Sequence, residues 1–128
     1  MSNFEHSTLV SDLKKTSKEI INELKPEQAD ALHMAVGIAG EAGELLDAIK
    51  KWSIYQKPLD LENVIEELGD LEFYMEGLRQ SLNLTRIETL MENISKLQKR
   101  YSKGEYSNEQ ANERADKEMR VVPYDQTR

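Results

Sequence analysis

The chain has 128 residues, a net charge of -7 and no cysteine. The length predicts one domain over 1–128 with a modest core. The acidic balance excludes a bare electrostatic grip on nucleic acid, and the lack of thiols excludes disulfides and thiolate metal sites. No apolar run approaches the ~20 residues of a membrane span. The N-terminal MSNFEHSTLVSDLKK has neither the basic start nor the apolar stretch of a signal peptide. A cytoplasmic protein with no membrane partner is expected.

Hydrophobic content of 38% with few aromatics suits helices better than a sheet sandwich. Leu9, Leu13, Ile20, Ile21 and Leu24 recur at helical spacing and predict a first helix from about Ser7 to Leu24. Lys25-Pro26 breaks it, and Pro26 suits the first position of a second helix running to about Ile54. YQKPLD (55–60) is a loop. Asp60 is a good N-cap for the third helix, LENVIEELGDLEFYMEGLRQSL. After a turn at Asn83-Leu84, Thr85 and Glu88 form a capping-box pattern that opens a fourth helix to about Arg100. YSKGEY (101–106) is a loop, and Ser107 with Gln110 marks a short fifth helix through NEQANERADKEM. A loosely held tail is expected from about residue 117. Helix after helix with short links predicts an all-α bundle of four to five helices.

The second helix carries GIAGEAGELLDAIKKW (37–52), with glycines at 37, 40 and 43 beside two glutamates. Each glycine costs roughly 1 kcal/mol against alanine in a helix interior. At ~100° per residue, Glu41 and Glu44 share a face with His33, Gly37, Gly40, Ala48 and Lys51. The third helix repeats the device in IEELGDLEFY, where Glu67 and Asp70 flank Gly69 and share their face with Asn63 and Tyr74. If the two helices are antiparallel neighbours, four carboxylates converge, and these cannot all stay ionised without a cation. Oxygen ligands without cysteine indicate Mg²⁺ first and Mn²⁺ second. The glycines then leave room for a neighbouring helix, or for a metal and an anionic ligand. The plain alternative is a solvated acidic face. A di-iron carboxylate bundle is disfavoured, because no glutamate here has a histidine three residues on.

The fourth helix offers Asn93, Lys96 and Arg100 on one face, a set suited to phosphate, with Leu90, Ile94 and Leu97 as its packing stripe. A solvated basic helix end explains the same cations without a ligand.

From about His33 to Arg114 the chain resembles the MazG-like nucleoside triphosphate pyrophosphohydrolases of the all-α NTP pyrophosphatase superfamily. The resemblance rests on HMAVGIAGEAGELLDAIKK, IYQKPLD, NVIEELGDLEFY and ENISKLQKRYSKGEYSNEQANER in that order. The family's E-x-x-E and E-x-x-D motifs match Glu41–Glu44 and Glu67–Asp70. The resemblance implies Mg²⁺-dependent hydrolysis of a nucleoside triphosphate to the monophosphate and pyrophosphate. It implies that Glu41, Glu44, Glu67 and Asp70 hold the metal, and that Lys51 or Lys50, with Asn93, Lys96 and Arg100, holds the phosphates. It also implies assembly as a dimer or dimer of dimers, with the basic residues drawn from a neighbouring subunit. Glu44 or Glu41 is the candidate catalytic base. His33, Trp52 and Tyr74 are candidate base contacts, with packing as the alternative for each. Two departures stand out: Gly40 where many relatives carry a further glutamate, and RYSKGEYS in place of R-Y-P-x-G-F-S. The competing functions are phosphoribosyl-ATP hydrolysis, a dUTP- or dCTP-specific pyrophosphatase, and a non-catalytic helical interaction protein.

Overall fold

The computed structural model describes residues 5–118. Among them the chain is all-α as expected: α1 (His6–Leu13), α2 (Ser17–Glu23), α3 (Pro26–Ser53), α4 (Leu61–Ser81), α5 (Arg86–Arg100), α6 (Asn108–Glu113) and a closing 3₁₀ turn (Ala115–Glu118). No described helix is long and apolar enough to cross a membrane. The tail beyond Glu118 lies outside the described residues.

Local signals set most of the boundaries. Pro26 opens α3, and the Lys25 amide donates to Gln28 Oε1 at 2.9 Å. The Asp60 carboxylate accepts from the Asn63 amide at 3.1 Å and opens α4. At α5, Thr85 Oγ1 accepts from the Glu88 amide at 3.1 Å while Glu88 Oε2 accepts from the Thr85 amide at 2.7 Å. Each of these bonds satisfies a backbone donor that the first helical turn leaves without a partner. Asn83, with φ 55°, makes the turn between α4 and α5.

Two expected elements differ. The single helix expected over Ser7–Leu24 is two. Lys14 and Thr16 are extended, and Thr16 starts a capping box of its own with Glu19, each bond being 3.2 Å. A Lys15–Glu23 ion pair spans the corner. The last helix stops at Glu113, because Arg114 enters the left-handed region at φ 50° and the chain turns into the 3₁₀ segment.

α3 and α4 form the packed body of the molecule. Tyr74 lies on Gly37, Met34 lies on Gly77, and Glu41 meets Glu67, so the numbering runs in opposite directions and the pair is antiparallel. Gly37 and Gly77 are the points where the helices fit into each other. A methyl group on Gly37 would overlap the Tyr74 ring, and one on Gly77 would overlap the Met34 sulfur. Gly40, Gly43 and Gly69 face open space within the chain.

The apolar surface is far from covered. Ala48 is the buried apolar residue of the hairpin. Val64, Leu71, Met75 and Leu78 are half-buried, whereas Leu68, Phe73 and the whole α5 stripe of Leu90, Ile94 and Leu97 are exposed. The chain exposes 10860 Å². A folded monomer of 14.7 kDa is expected to expose about 6,900 Å².

Candidate metal centre

Glu41 comes from the middle of α3, and Glu67 and Asp70 from the facing turn of α4. The antiparallel crossing brings them together: one carboxylate oxygen from each lies within 4.8 Å of the other two. Glu41 and Glu67 are half-buried and Asp70 is exposed, so the cluster is open on one side. Glu44 lies one turn further along α3, exposed, and is not among the three.

The electrostatics are those of acids held too close. The Glu67 carboxyl is pushed up to about 7, first by its hydrogen bond to Glu41, then by burial, and then by the negative charges of Glu41, Asp70 and Glu44. Its Oε2 is buried and has no hydrogen-bond donor. A buried carboxylate oxygen without a donor is costly. A shared proton relieves that cost at low pH, and a cation relieves it at neutral pH. The three acids therefore fit a hard divalent ion: oxygen ligands only, a buried Glu67 oxygen without a donor, and one open side for water and substrate oxygens.

Three of the four cations expected to hold phosphate, Lys50, Lys51 and Arg100, are already engaged. Lys51 Nζ lies 2.7 Å from Asp47 Oδ2 and Lys50 Nζ 3.8 Å from Asp47 Oδ1. The hydrogen bond between Lys51 and Asp47 lowers the Asp47 carboxyl and raises the Lys51 ammonium, and Glu44 and Asp60 add to the latter. Lys50 also sits over the Tyr55 ring at 5.6 Å. The i+3 and i+4 spacing of these lysines from Asp47 was the available signal for the pairing.

On α5, Asn93 is exposed and Lys96 half-buried. That helix packs against α6 and the 3₁₀ turn. Arg100 makes a two-pronged pair with Asp116, from Nε at 2.8 Å and Nη2 at 3.0 Å. The Asp116 side chain is 3% exposed and that of Arg100 18%. The sequence carries no signal for this pair, which spans 16 residues and depends on the turn at Arg114.

The aromatic candidates separate. Tyr74 contacts His33 edge-on at 6.5 Å and Phe73 at 5.1 Å, so its ring is part of the helix packing. His33 is exposed beside it, and Trp52 is exposed at the C-terminal end of α3.

No curated protein and no solved structure gives a significant match to this chain. A family model does, over residues 30–104. The match takes in α3 from Asp30 onward, α4, α5 and all three converging acids, and ends short of the Arg114 limit that the resemblance suggested. The chain belongs to the MazG nucleotide pyrophosphohydrolase domain family.

Proposed function

We propose that the chain hydrolyses a nucleoside or deoxynucleoside triphosphate to the monophosphate and pyrophosphate, with Mg²⁺ held by Glu41, Glu67 and Asp70. The observation that carries this is the donorless Oε2 of Glu67, set against two further carboxylates within the family-matched region. When bound, the cation would neutralise phosphate oxygens and lower the pKa of a water. The protein's own work is positioning and charge placement, which dominate phosphoryl transfer. Glu44, exposed one turn from the cluster, is free to accept a proton from a water on the open side. Lys50 and Lys51 lie on α3 beyond Glu44, where a polyphosphate reaching past the acids would compete with Asp47 for their ammonium groups. A cytosolic setting belongs to this reading.

The working unit is proposed to be a homo-oligomer. Among the described residues, Leu68 and Phe73 of α4 and Leu90, Ile94 and Leu97 of α5 are left exposed, apolar surface of the kind that a second copy covers. Six acids on α4 face one arginine in the same helix, while α5 carries four cations against two acids. A second copy laying α5 along the acidic hairpin would cover Leu90, Ile94 and Leu97 and bring Asn93 and Lys96 toward the carboxylates.

The deciding experiment is a product assay with each NTP and dNTP plus Mg²⁺. Monophosphate with pyrophosphate, lost in Glu41→Gln and Asp70→Asn, is the expected result. Diphosphate with phosphate would overturn the proposed bond cleavage. Phosphoribosyl-ATP and Mn²⁺ complete the panel, and no turnover across it would overturn the enzymatic reading.

A further inference from the structure

We propose that Tyr74 is a positioning residue for the carboxylate cluster: its ring, seated on Gly37, sets how closely α3 and α4 approach at Glu41, Glu67 and Asp70. This rests on the metal reading above and adds to it a residue outside the cluster on which metal affinity depends.

The contact stands one helical turn from the acids. Gly37 is four residues before Glu41 on α3, and Tyr74 is four residues after Asp70 on α4. Because the helices are antiparallel, the two steps run the same way. The ring-on-glycine layer therefore lies about 6 Å along the helices from the carboxylate layer. Gly37 has no side chain, so α4 can come up to the α3 backbone there. What meets that backbone is the Tyr74 ring, and a Cβ added at Gly37 would overlap three of its carbons. Two further rings flank it. The His33 imidazole meets it edge-on with centroids 6.5 Å apart, and the Phe73 ring lies at 5.1 Å and 87°. Tyr74 is half-buried.

The other glycine contact of this helix pair differs in kind. At Gly77 the neighbour is the Met34 sulfur, near the end of an unbranched side chain with rotatable bonds to spare. A thioether yields to a methyl group by turning, whereas a flanked ring does not. Met34 and Gly77 are also a further turn from the acids. Gly40, Gly43 and Gly69, which lie among the acids, have open space where a side chain would be, so no contact at those glycines holds the helices at a set distance. Of these contacts, Tyr74 on Gly37 is both the stiffer and the nearer. The cluster has little tolerance for error: its three oxygens lie within 4.8 Å of one another. Mg²⁺ demands near-ideal octahedral ligands, and a site is productive only when held within about 0.5 Å. A methyl group wedged under a flanked ring displaces the helices on that scale.

Mg²⁺ binding to the full-length chain is measured by isothermal titration calorimetry at pH 8, with a melting temperature recorded for each sample. Gly37→Ala is expected to raise the Mg²⁺ dissociation constant about tenfold, as the loss of a residue that supports metal ligands does. Adding Tyr74→Leu trades the ring for a smaller side chain and roughly conserves the filled volume. This double variant is expected to return to within about threefold of the wild type. Gly77→Ala puts the same methyl group into the same helix interface against the yielding Met34, and is expected to stay within about twofold. A merely structural Tyr74 predicts a lower melting temperature with an unchanged dissociation constant. That split, equal weakening by Gly77→Ala, or no recovery in the double variant would overturn the proposal and leave the metal reading standing. If Gly37→Ala does not fold, Tyr74→Leu alone carries the test: weaker Mg²⁺ binding is expected, and an unchanged dissociation constant would overturn the proposal. A wild type with no saturable Mg²⁺ binding would overturn the metal reading and the proposal together.

Discussion

Glu67 meets Glu41 carboxylate to carboxylate across the α3–α4 crossing, and the Glu67 carboxyl is raised from 4.5 to about 7. Between those two values the folded chain holds a proton that the unfolded chain has released. Stability therefore falls as pH rises from about 4.5 to about 7 and levels off above. This is opposite in sign to the usual salt-bridged carboxylate. Thermal unfolding in EDTA across that window is expected to show the decline, and Glu67→Gln, which cannot ionise, is expected to remove this contribution. A wild-type slope no steeper than that of Glu67→Gln would show that the two acids do not compete for a proton.

The same repulsion predicts a gain from cations. At pH 8, above the raised Glu67 value, Mg²⁺ is expected to raise the melting temperature. At 100 times its dissociation constant a ligand specific to the native state stabilises by about 2.7 kcal/mol. Glu41→Gln, Glu67→Gln and Asp70→Asn are each expected to weaken the effect at least tenfold in Mg²⁺ concentration. Glu44→Gln, outside the converging three, is expected to retain most of it. Equal loss in all four variants would place Glu44 among the ligands.

The helix crossing yields a contrast between two glycines three residues apart. Gly37→Ala drives a methyl into the Tyr74 ring, and overpacking of this kind costs about 1–3 kcal/mol. Gly40→Ala meets nothing within 4 Å in the chain. Relief of a helical glycine is worth about 1 kcal/mol, so this variant is expected to be more stable than wild type. Chemical denaturation of both variants checks the pair. A Gly40→Ala variant that loses stability and falls apart on dilution would show that a second copy approaches the helix at that point.

These relationships were not equally legible in the sequence. The caps at Asp60, Thr85 and Ser107 are local chemistry, readable over three or four residues, and each forms as expected. The Thr16–Glu19 box is equally local, but the apolar spacing from Leu9 to Leu24 runs through it and suggests one helix. The meeting of Glu41 with Glu67 and Asp70 followed from two acidic pairs on helices joined by a short loop. Which three of the four acids bring oxygens within 4.8 Å of one another is set by the helix crossing, and spacing along one helix does not give it. The partner of Arg100 was beyond reach for a different reason. A helix carried through residues 108–119 puts Asp116 on a solvated face, and only the left-handed turn at Arg114 folds it back.

That last pair separates two roles for Arg100. Family resemblance gives it to substrate phosphate, whereas here both a terminal and the inner guanidinium nitrogen bind Asp116. The pair lowers the Asp116 carboxyl and raises the Arg100 guanidinium. A lowered carboxyl contributes stability that is present above the unfolded value of 3.8 and is lost as pH falls below it. If the pair only ties the 3₁₀ turn to α5, Asp116→Asn and Arg100→Ala are each expected to lower the melting temperature and to combine non-additively, with KM unchanged. Arg100→Lys is not expected to restore it, because an ammonium does not reproduce the two-pronged geometry. If Arg100 instead leaves Asp116 to bind phosphate during turnover, Asp116→Asn is expected to lower KM while Arg100→Ala raises it. The buried state of the Asp116 carboxylate favours the first outcome. At 3% exposure it has lost most of its water and would have to give up both hydrogen bonds before the guanidinium could turn away. Melting curves with a Michaelis analysis of the two variants are enough to decide between them.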